Sequence, residues 1–144
     1  MIQIMQTIKI IRLWEGEVVF LIMELDFASS IPIYQQIRNE IVRAVADGRL
    51  ADGDRLPTIR ALAQEVGVNS MTVNKAYQLL KQEGYLITDR RNGATVRCTD
   101  EGERQAVGRK VGKELGLLAA EAKVAGLSEG EFLELCRQAY AGRP

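Results

Sequence analysis

The 144-residue sequence contains no histidine, which removes the side chain that most often serves as a general base and as a metal ligand. Its two cysteines, Cys98 and Cys136, stand too far apart in the chain for zinc-ligand spacing. We expect both to be buried apolar thiols in a reducing cytoplasm, not a redox pair. The sequence shows no nucleophile with a partner base, metal-ligand set or phosphate-binding loop. It therefore predicts a protein that is not an enzyme and needs no cofactor or metal.

The sequence also lacks an excess of charge of one sign. It has 19 basic and 19 acidic residues, a formal net charge of zero, and ten of each sign fall within residues 23–100. A basic surplus is usual in DNA-binding domains, so any affinity for DNA must come from local asymmetry. The basic residues that we expect on one face are Arg38, Arg60, Lys75, Arg90 and Arg91.

The sequence predicts neither a membrane span nor a signal peptide. The chain has room for one compact domain and a small appendage, and 47% of its residues are hydrophobic. The most apolar stretch, residues 1–22, is interrupted by charges and so cannot span a bilayer. This stretch also has no basic start and no small-residue cleavage site. We expect a cytoplasmic protein without a membrane partner.

Three interpretations of residues 1–22 remain open. Their β-branched content favours a hairpin that turns at Glu15-Gly16. The spacing of Ile4, Ile8 and Ile11 is equally compatible with a helix. In the third interpretation Met23 is the working start, and the upstream residues are an extension created by start assignment.

Residues 56–96 have the organisation of a winged helix-turn-helix. A short helix over about 59–66 and the turn Gly67-Val68-Asn69 lead into a second helix over about 70–82. The second helix stops at Gly84, and strand-like segments then flank an Asn92-Gly93 turn. The second helix is the right size to lie in a DNA major groove.

Hydrophobic periodicity assigns the faces of these helices. Thr58 is the expected N-cap of the first one. A helical repeat places four residues of the second helix in the core: Val73, Ala76, Tyr77 and Leu80. The opposite face carries Met71, Asn74, Lys75, Gln78 and Gln82. Ser70 and Thr72 begin the helix, where side chains of a recognition helix reach base edges and phosphates.

An earlier helix begins at Ser30-Ile31-Pro32 and ends at Asp47-Gly48. Its predicted buried stripe comprises Ile33, Ile37, Ile41 and Val45. The following Asp52-Gly53-Asp54 is expected to be a turn with solvated carboxylates and no catalytic role.

The C-terminal residues, from Glu101 on, are expected to form two helices separated near Gly126. Ser128 and Glu131 have the spacing of a capping box. The first helix carries a short seam suited to pairing with another helix: Val111, Leu115, Leu118, Ala122 and Ala125. The apolar face of the last helix comprises Phe132, Leu133, Cys136, Ala139 and Tyr140.

Two short amphipathic helices cannot bury both of their faces alone, so we interpret this segment as a homodimerisation arm. Glycines at 108, 112 and 116 suggest a close approach of backbones there. The alternative is that both helices only cover the domain's own core. The predicted dimer-interface residues are Val111, Leu115, Leu118, Ala122, Phe132, Cys136 and Tyr140.

Four short motifs, in order, carry a resemblance to a known family. They are Pro32–Ile37, the segment LPTIRALA from Leu56 to Ala63, the segment VNSMTVNKAY from Val68 to Tyr77, and Glu83–Leu86. The chain resembles GntR-type transcriptional regulators, and within them the short YtrA-like branch. The resemblance implies a mainly α fold with a small β-hairpin. It also implies a winged helix-turn-helix domain over residues 23–99 and a two-helix dimerisation arm over residues 100–144, after the extension 1–22.

The resemblance implies a homodimeric repressor that binds a pseudo-palindromic site on double-stranded DNA, such as the operator of a transporter operon. The arm is too small to enclose an ordinary metabolite pocket, so any effector, of unknown identity, would bind at the dimer interface or beside the DNA-binding domain. The residues expected to contact DNA are Arg60, Asn69, Ser70, Met71, Thr72, Asn74, Lys75, Arg90, Arg91, Asn92 and Gly93.

An alternative is a winged-helix module that has lost DNA binding and docks on a protein. The zero net charge and an exposed Met71 favour this alternative. The polar start of the recognition helix and the paired Arg90-Arg91 favour DNA.

Overall fold

A computed structural model describes the backbone of residues 5–14 and 17–20 and the whole of residues 21–91, 93–98 and 100–142. The chain divides into two compact units, Met1–Cys98 and Thr99–Pro144. The elements in order are β1 (Met5–Trp14), β2 (Glu17–Asp26), α1 (Ile33–Ala46), α2 (Ile59–Val66), α3 (Ser70–Gln82), β3 (Leu86–Asp89), β4 (Gly93–Val96), α4 (Glu101–Val124) and α5 (Glu129–Ala141). The predicted fold class, mainly helical with a small winged hairpin, is confirmed.

The N-terminal strands β1 and β2 form an antiparallel hairpin in which Trp14 pairs with Glu17. The predicted turn at residues 15 and 16 lies outside the described residues, but this register confirms the hairpin, and the helical alternative is wrong. Strand β2 is continuous through the predicted boundary between residues 22 and 23. Its side chains alternate, and Leu21, Met23 and Leu25 are buried in the core of the first unit.

Polar side chains tie β2 to α1. The Gln36 side-chain amide accepts a hydrogen bond from Asp26 N and donates one to Asp26 O, both at 2.8 Å. Glu40 is buried, yet its carboxylate accepts from Arg43 Nη1 at 2.7 Å and from Glu24 N at 3.4 Å. Because a buried polar group without a partner is costly, these contacts fix the strand on the helix.

The helix-turn-helix follows the predicted periodicity. Its core side chains are Leu62, Ala63 and Val66 from α2 and Val73, Ala76, Tyr77 and Leu80 from α3. Gly67 adopts a left-handed conformation with φ of 68°, which a residue with a Cβ rarely takes, and so ends α2 sharply. Together with α1 and β2, the two helices form one hydrophobic core.

The wing is the β3–β4 hairpin with a further strand-like segment beside it. Leu86 pairs with Val96, and Asp89 pairs with Gly93. Leu56 N donates to Ala94 O at 2.8 Å, which places the chain before α2 along the other edge of β4. The wing therefore packs directly against the start of α2.

The turn predicted at Asn92-Gly93 needs a correction. Gly93, with φ of 66°, already belongs to β4, so the connection comprises residues 90–92, and Asn92 lies outside the described residues. The Asp89 carboxylate accepts a hydrogen bond from Arg91 N at 2.8 Å. That local bond stabilises a loop longer than a two-residue turn.

In the second unit, both helices begin with capping boxes. The predicted Ser128–Glu131 box is confirmed, and a second box joins Asp100 to Glu103. The Ser128 N–H and hydroxyl both donate to the Glu131 carboxylate, and these bonds lower the pKa of Glu131 below its usual 4.5. No residue that the structure describes in α4 or α5 is buried. Nor is any described helix both long and apolar enough to cross a bilayer.

The expectation that both cysteines are buried is wrong. Cys98 is exposed and Cys136 is half-buried, because Cys98 follows the last wing strand and Cys136 lies on a face that its own unit leaves uncovered. Apart from the backbone of α4 itself and the adjoining residues, a Cβ added at Gly108, Gly112 or Gly116 would meet no described atom within 4 Å. The described residues of this chain therefore place no backbone against that stripe.

Candidate nucleic-acid interface

The recognition helix α3 has a fixed N-terminus. The Asn69 side chain caps it by accepting a hydrogen bond from Met71 N at 2.8 Å. Asn69 is also a predicted DNA contact, and its side-chain oxygen is used to hold the helix. The exposed start of a capped helix offers backbone N–H groups and a partial positive charge to a phosphate.

The predicted contact residues of α3 are mostly exposed. Ser70 and Asn74 lie on the surface, and Thr72 is half-buried. Met71 is 76% exposed. The side chains at the start of α3 are therefore available to a partner.

Lys75 lies on the same helix but is oriented by a contact with α1. Its Nζ is 4.1 Å from the centroid of the Tyr34 ring. Such a cation–π contact stabilises by about 0.5–1 kcal/mol at an exposed site. Tyr34 thus positions a predicted DNA-contacting cation, a role that the sequence did not reveal.

Arg38 does not belong to the exposed basic face. Its guanidinium forms an ion pair with Glu83 and lies 5.6 Å from the centroid of the Tyr85 ring. The side chain is only 17% exposed. The expectation that Arg38 contributes to the basic face is therefore wrong, because a partner 45 residues away in sequence holds it.

Basic side chains also mark the start of α2 and the wing. Arg60 is the second residue of α2 and is exposed. Thr58 caps the same helix, since its hydroxyl accepts a hydrogen bond from Ala61 N at 3.1 Å. Arg90 and Arg91 are exposed at the wing tip beside Gly93. Asn92, also predicted to contact DNA, lies outside the described residues.

Two acidic side chains in the segment before α2 accept hydrogen bonds from backbone N–H groups. Asp52 accepts from Cys98 N at 2.8 Å, and Asp54 accepts from Ala51 N at 2.9 Å. Both carboxylates brace the segment that leads into α2. They act as turn residues, as the sequence indicated.

A groove joins α2, α3 and the wing. It has a volume of about 430 Å³. Its lining comprises Arg55, Leu56, Pro57, Thr58, Ile59, Tyr77, Gln78, Lys81, Thr88, Arg91, Gly93 and Ala94. Two cations, Arg55 and Lys81, were missed from sequence. They are distant in the chain, and the pairing of residues 53–56 with β4 brings Arg55 to the groove that Lys81 of α3 also lines.

A capped second helix with an exposed polar start, preceded by a short helix and followed by a basic hairpin, defines a winged helix-turn-helix domain of the DNA-binding class. The model of the family described as bacterial regulatory proteins, gntR family, matches residues 33–96.

The chain is also similar to individual transcriptional regulators. The transcriptional repressor YtrA of Bacillus subtilis is 38% identical over 74 residues, 51% of this chain. The uncharacterized regulator YhcF of the same organism is 30% identical over 112 residues, 78% of this chain and 93% of YhcF. The structure of YtrA from Sulfolobus acidocaldarius, a GntR-family transcription factor, has 36% identity and a TM-score of 0.54 over 65% of this chain and 97% of that one.

The chain belongs to the gntR family of bacterial regulatory proteins and is similar to its YtrA-like members. It spans 57% of the length of the Bacillus repressor that it matches.

Proposed function

We propose that the protein is a sequence-specific transcriptional regulator, acting as a homodimeric repressor at a pseudo-palindromic operator. One observation carries the proposal: α3 presents a capped, polar N-terminal face on a rigid core, beside a wing with two exposed arginines. Base edges in a major groove require that combination of rigidity and polar side chains.

Roles for individual residues follow from their chemistry. Asn74 can bond an adenine edge in two places, and Met71 offers an apolar contact for a thymine methyl group. Ser70, Thr72 and the capped helix start suit phosphate oxygens. Arg60, Arg90 and Arg91 supply the positive charge that the chain as a whole lacks.

We propose that the helices of the second unit form the dimer interface. An apolar groove of about 770 Å³ runs between α4 and α5, although no described residue of these helices is buried. Its lining includes Val111, Leu115, Leu118, Ala122, Phe132, Cys136 and Tyr140, together with Leu135 in place of the expected Leu133. The corresponding helices of a second copy would cover this face by two-fold symmetry.

A dimer would place two recognition helices in successive major grooves, about 34–36 Å apart. Repression is favoured because the Bacillus relative YtrA is named a repressor. A bound dimer would block polymerase from an overlapping promoter. Control of a transporter operon is the regulatory context that we propose.

Purified protein should select fragments from genomic DNA at about 0.1–0.15 M salt, and footprinting should then locate the site. We expect an inverted repeat protected on both halves. A variant with Arg60→Ala and Arg91→Ala should lose enrichment, while the matched arm variant Arg109→Ala, exposed on α4, should keep it. Equal enrichment by the two variants would contradict the assigned interface. Failure to enrich DNA, with capture of a protein through the face around Met71, would favour the interaction-module alternative.

A further inference from the structure

The groove between α2, α3 and the wing combines two kinds of surface. Its floor includes Leu56 and Tyr77, each 5% exposed, with Pro57 and Ala94 beside them. The Tyr77 hydroxyl donates to Pro57 O at 2.7 Å, so the phenol ring is held in place. The floor is therefore apolar and rigid.

The rim of the same groove is basic. Arg55, Lys81 and Arg91 line it, and none of the described residues in its lining is acidic. The Asp89 carboxylate, next to the rim, accepts a hydrogen bond from Arg91 N at 2.8 Å and so is engaged with the wing backbone. Arg55 Nη2 donates to Arg91 O at 3.4 Å, which holds the Arg55 guanidinium against the wing. The local field in the groove therefore favours an anion.

The size of the groove fits a small molecule. Ligand pockets usually measure about 300–1,000 Å³ and combine apolar walls with a few polar groups. The Arg91 guanidinium and the Lys81 ammonium suit a phosphate, which carries about two negative charges and three acceptor oxygens. A DNA backbone would use such a rim but would gain little from an apolar floor.

We propose that this groove binds a small organic phosphate monoester, with its phosphate at the basic rim and its apolar body on the floor formed by Leu56 and Tyr77. The bound ester would compete with operator DNA, since Arg91 and Gly93 line the groove and are themselves proposed DNA contacts. The competition rests on the proposed function, whereas the binding does not.

Phenyl phosphate is a suitable probe, since it joins one phosphate to one ring. Titration into the full-length protein without DNA should shift backbone amide resonances of Thr58, Gln78 and Thr88 in a saturable manner. Inorganic phosphate, which lacks the ring, and phenol, which lacks the charge, should each bind about tenfold or more weakly. Lys81→Gln should weaken phenyl phosphate about three- to tenfold by removing one charge-assisted contact. Lys110→Gln, exposed on α4, should leave it unchanged.

Several results would overturn the proposal. One is binding of phenyl phosphate no tighter than that of inorganic phosphate. Another is resonance shifts outside the groove, or equal affinity of the Lys81 and Lys110 variants. A third is weakened DNA binding by Lys81→Gln without any binding of phenyl phosphate, which would make the groove a backbone contact only. Once an operator is known, phenyl phosphate at ten times its Kd should reduce apparent DNA affinity about tenfold. Unchanged DNA affinity at saturation would refute the competition.

Discussion

Replacement of Leu118 by alanine should separate dimerisation from folding. Leu118 lines the apolar groove of the second unit and is 52% exposed in the single chain. Full burial of a leucine side chain stabilises by about 1.5–3 kcal/mol, so covering the exposed half contributes about 1 kcal/mol per subunit. Two-fold symmetry doubles the effect to about 2 kcal/mol, which weakens the dimer about 30-fold.

Leu117→Ala is the matched control. Leu117 is the neighbouring residue on α4 and is 64% exposed, but it is not part of the groove lining. Both substitutions remove the same atoms from the same helix, so their intrinsic helix propensities change equally. Only position 118 should affect association.

Sedimentation equilibrium over a concentration series measures the dimer Kd for each variant. Circular dichroism melting of the same samples shows whether the helix-turn-helix core remains folded. We expect a higher Kd for Leu118→Ala alone. Equal dimer constants for the two variants, or a wild-type protein that stays monomeric at high concentration, would refute the assigned dimer face.

Three further predictions concern stability. Asn69→Ala removes the cap of α3 and should lower the free energy of unfolding by about 1 kcal/mol in chemical denaturation. Asn69→Asp keeps a capping oxygen and should therefore retain most of the wild-type stability. Leu80→Ala, at a fully buried core position, should cost about 2–5 kcal/mol, and a loss below 1 kcal/mol would contradict the packing. The lowered pKa of Glu131 means that its cap stabilises α5 above the usual pKa of 4.5 and is lost as pH falls through the lower folded value. An NMR titration in which Glu131→Gln shows the same acid-induced loss of α5 signals would exclude that role.

Local patterns explain why most of the fold could be predicted. The glycine at 67, the caps at Thr58 and Ser128 and the helical repeat of α3 each depend on residues within one or two turns. Because such patterns involve only neighbouring residues, the sequence alone is enough to recognise them. The element bounds of α2 and α3 follow from them directly.

Contacts between distant residues could not be predicted in this way. Arg38 and Glu83 pair across 45 positions, and Lys75 of α3 contacts the Tyr34 ring of α1. The segment before α2 carries Arg55 to the groove only because it pairs with β4. These partners depend on tertiary packing, so charge counts alone misassigned Arg38 and overlooked Arg55.

The expectation for the cysteines was wrong for a related reason. Free cysteine is often buried, but that tendency applies to chains that cover their own apolar surface. Cys136 lies on an arm whose described residues are all at least partly exposed, and Cys98 follows the wing. The two helices of the arm leave Cys136 only half-buried.

We propose that a dimer of this protein reads DNA through α3. Footprinting of a fragment selected from genomic DNA tests it most directly, with wild-type protein and Leu118→Ala compared at equal concentration. We predict symmetric protection of two half-sites about one helical turn apart, with centres about 10 base pairs from each other, and loss of that protection in the variant at low concentration. Protection of a single, unsymmetric half-site by both proteins, or no protected site at all, would contradict the account.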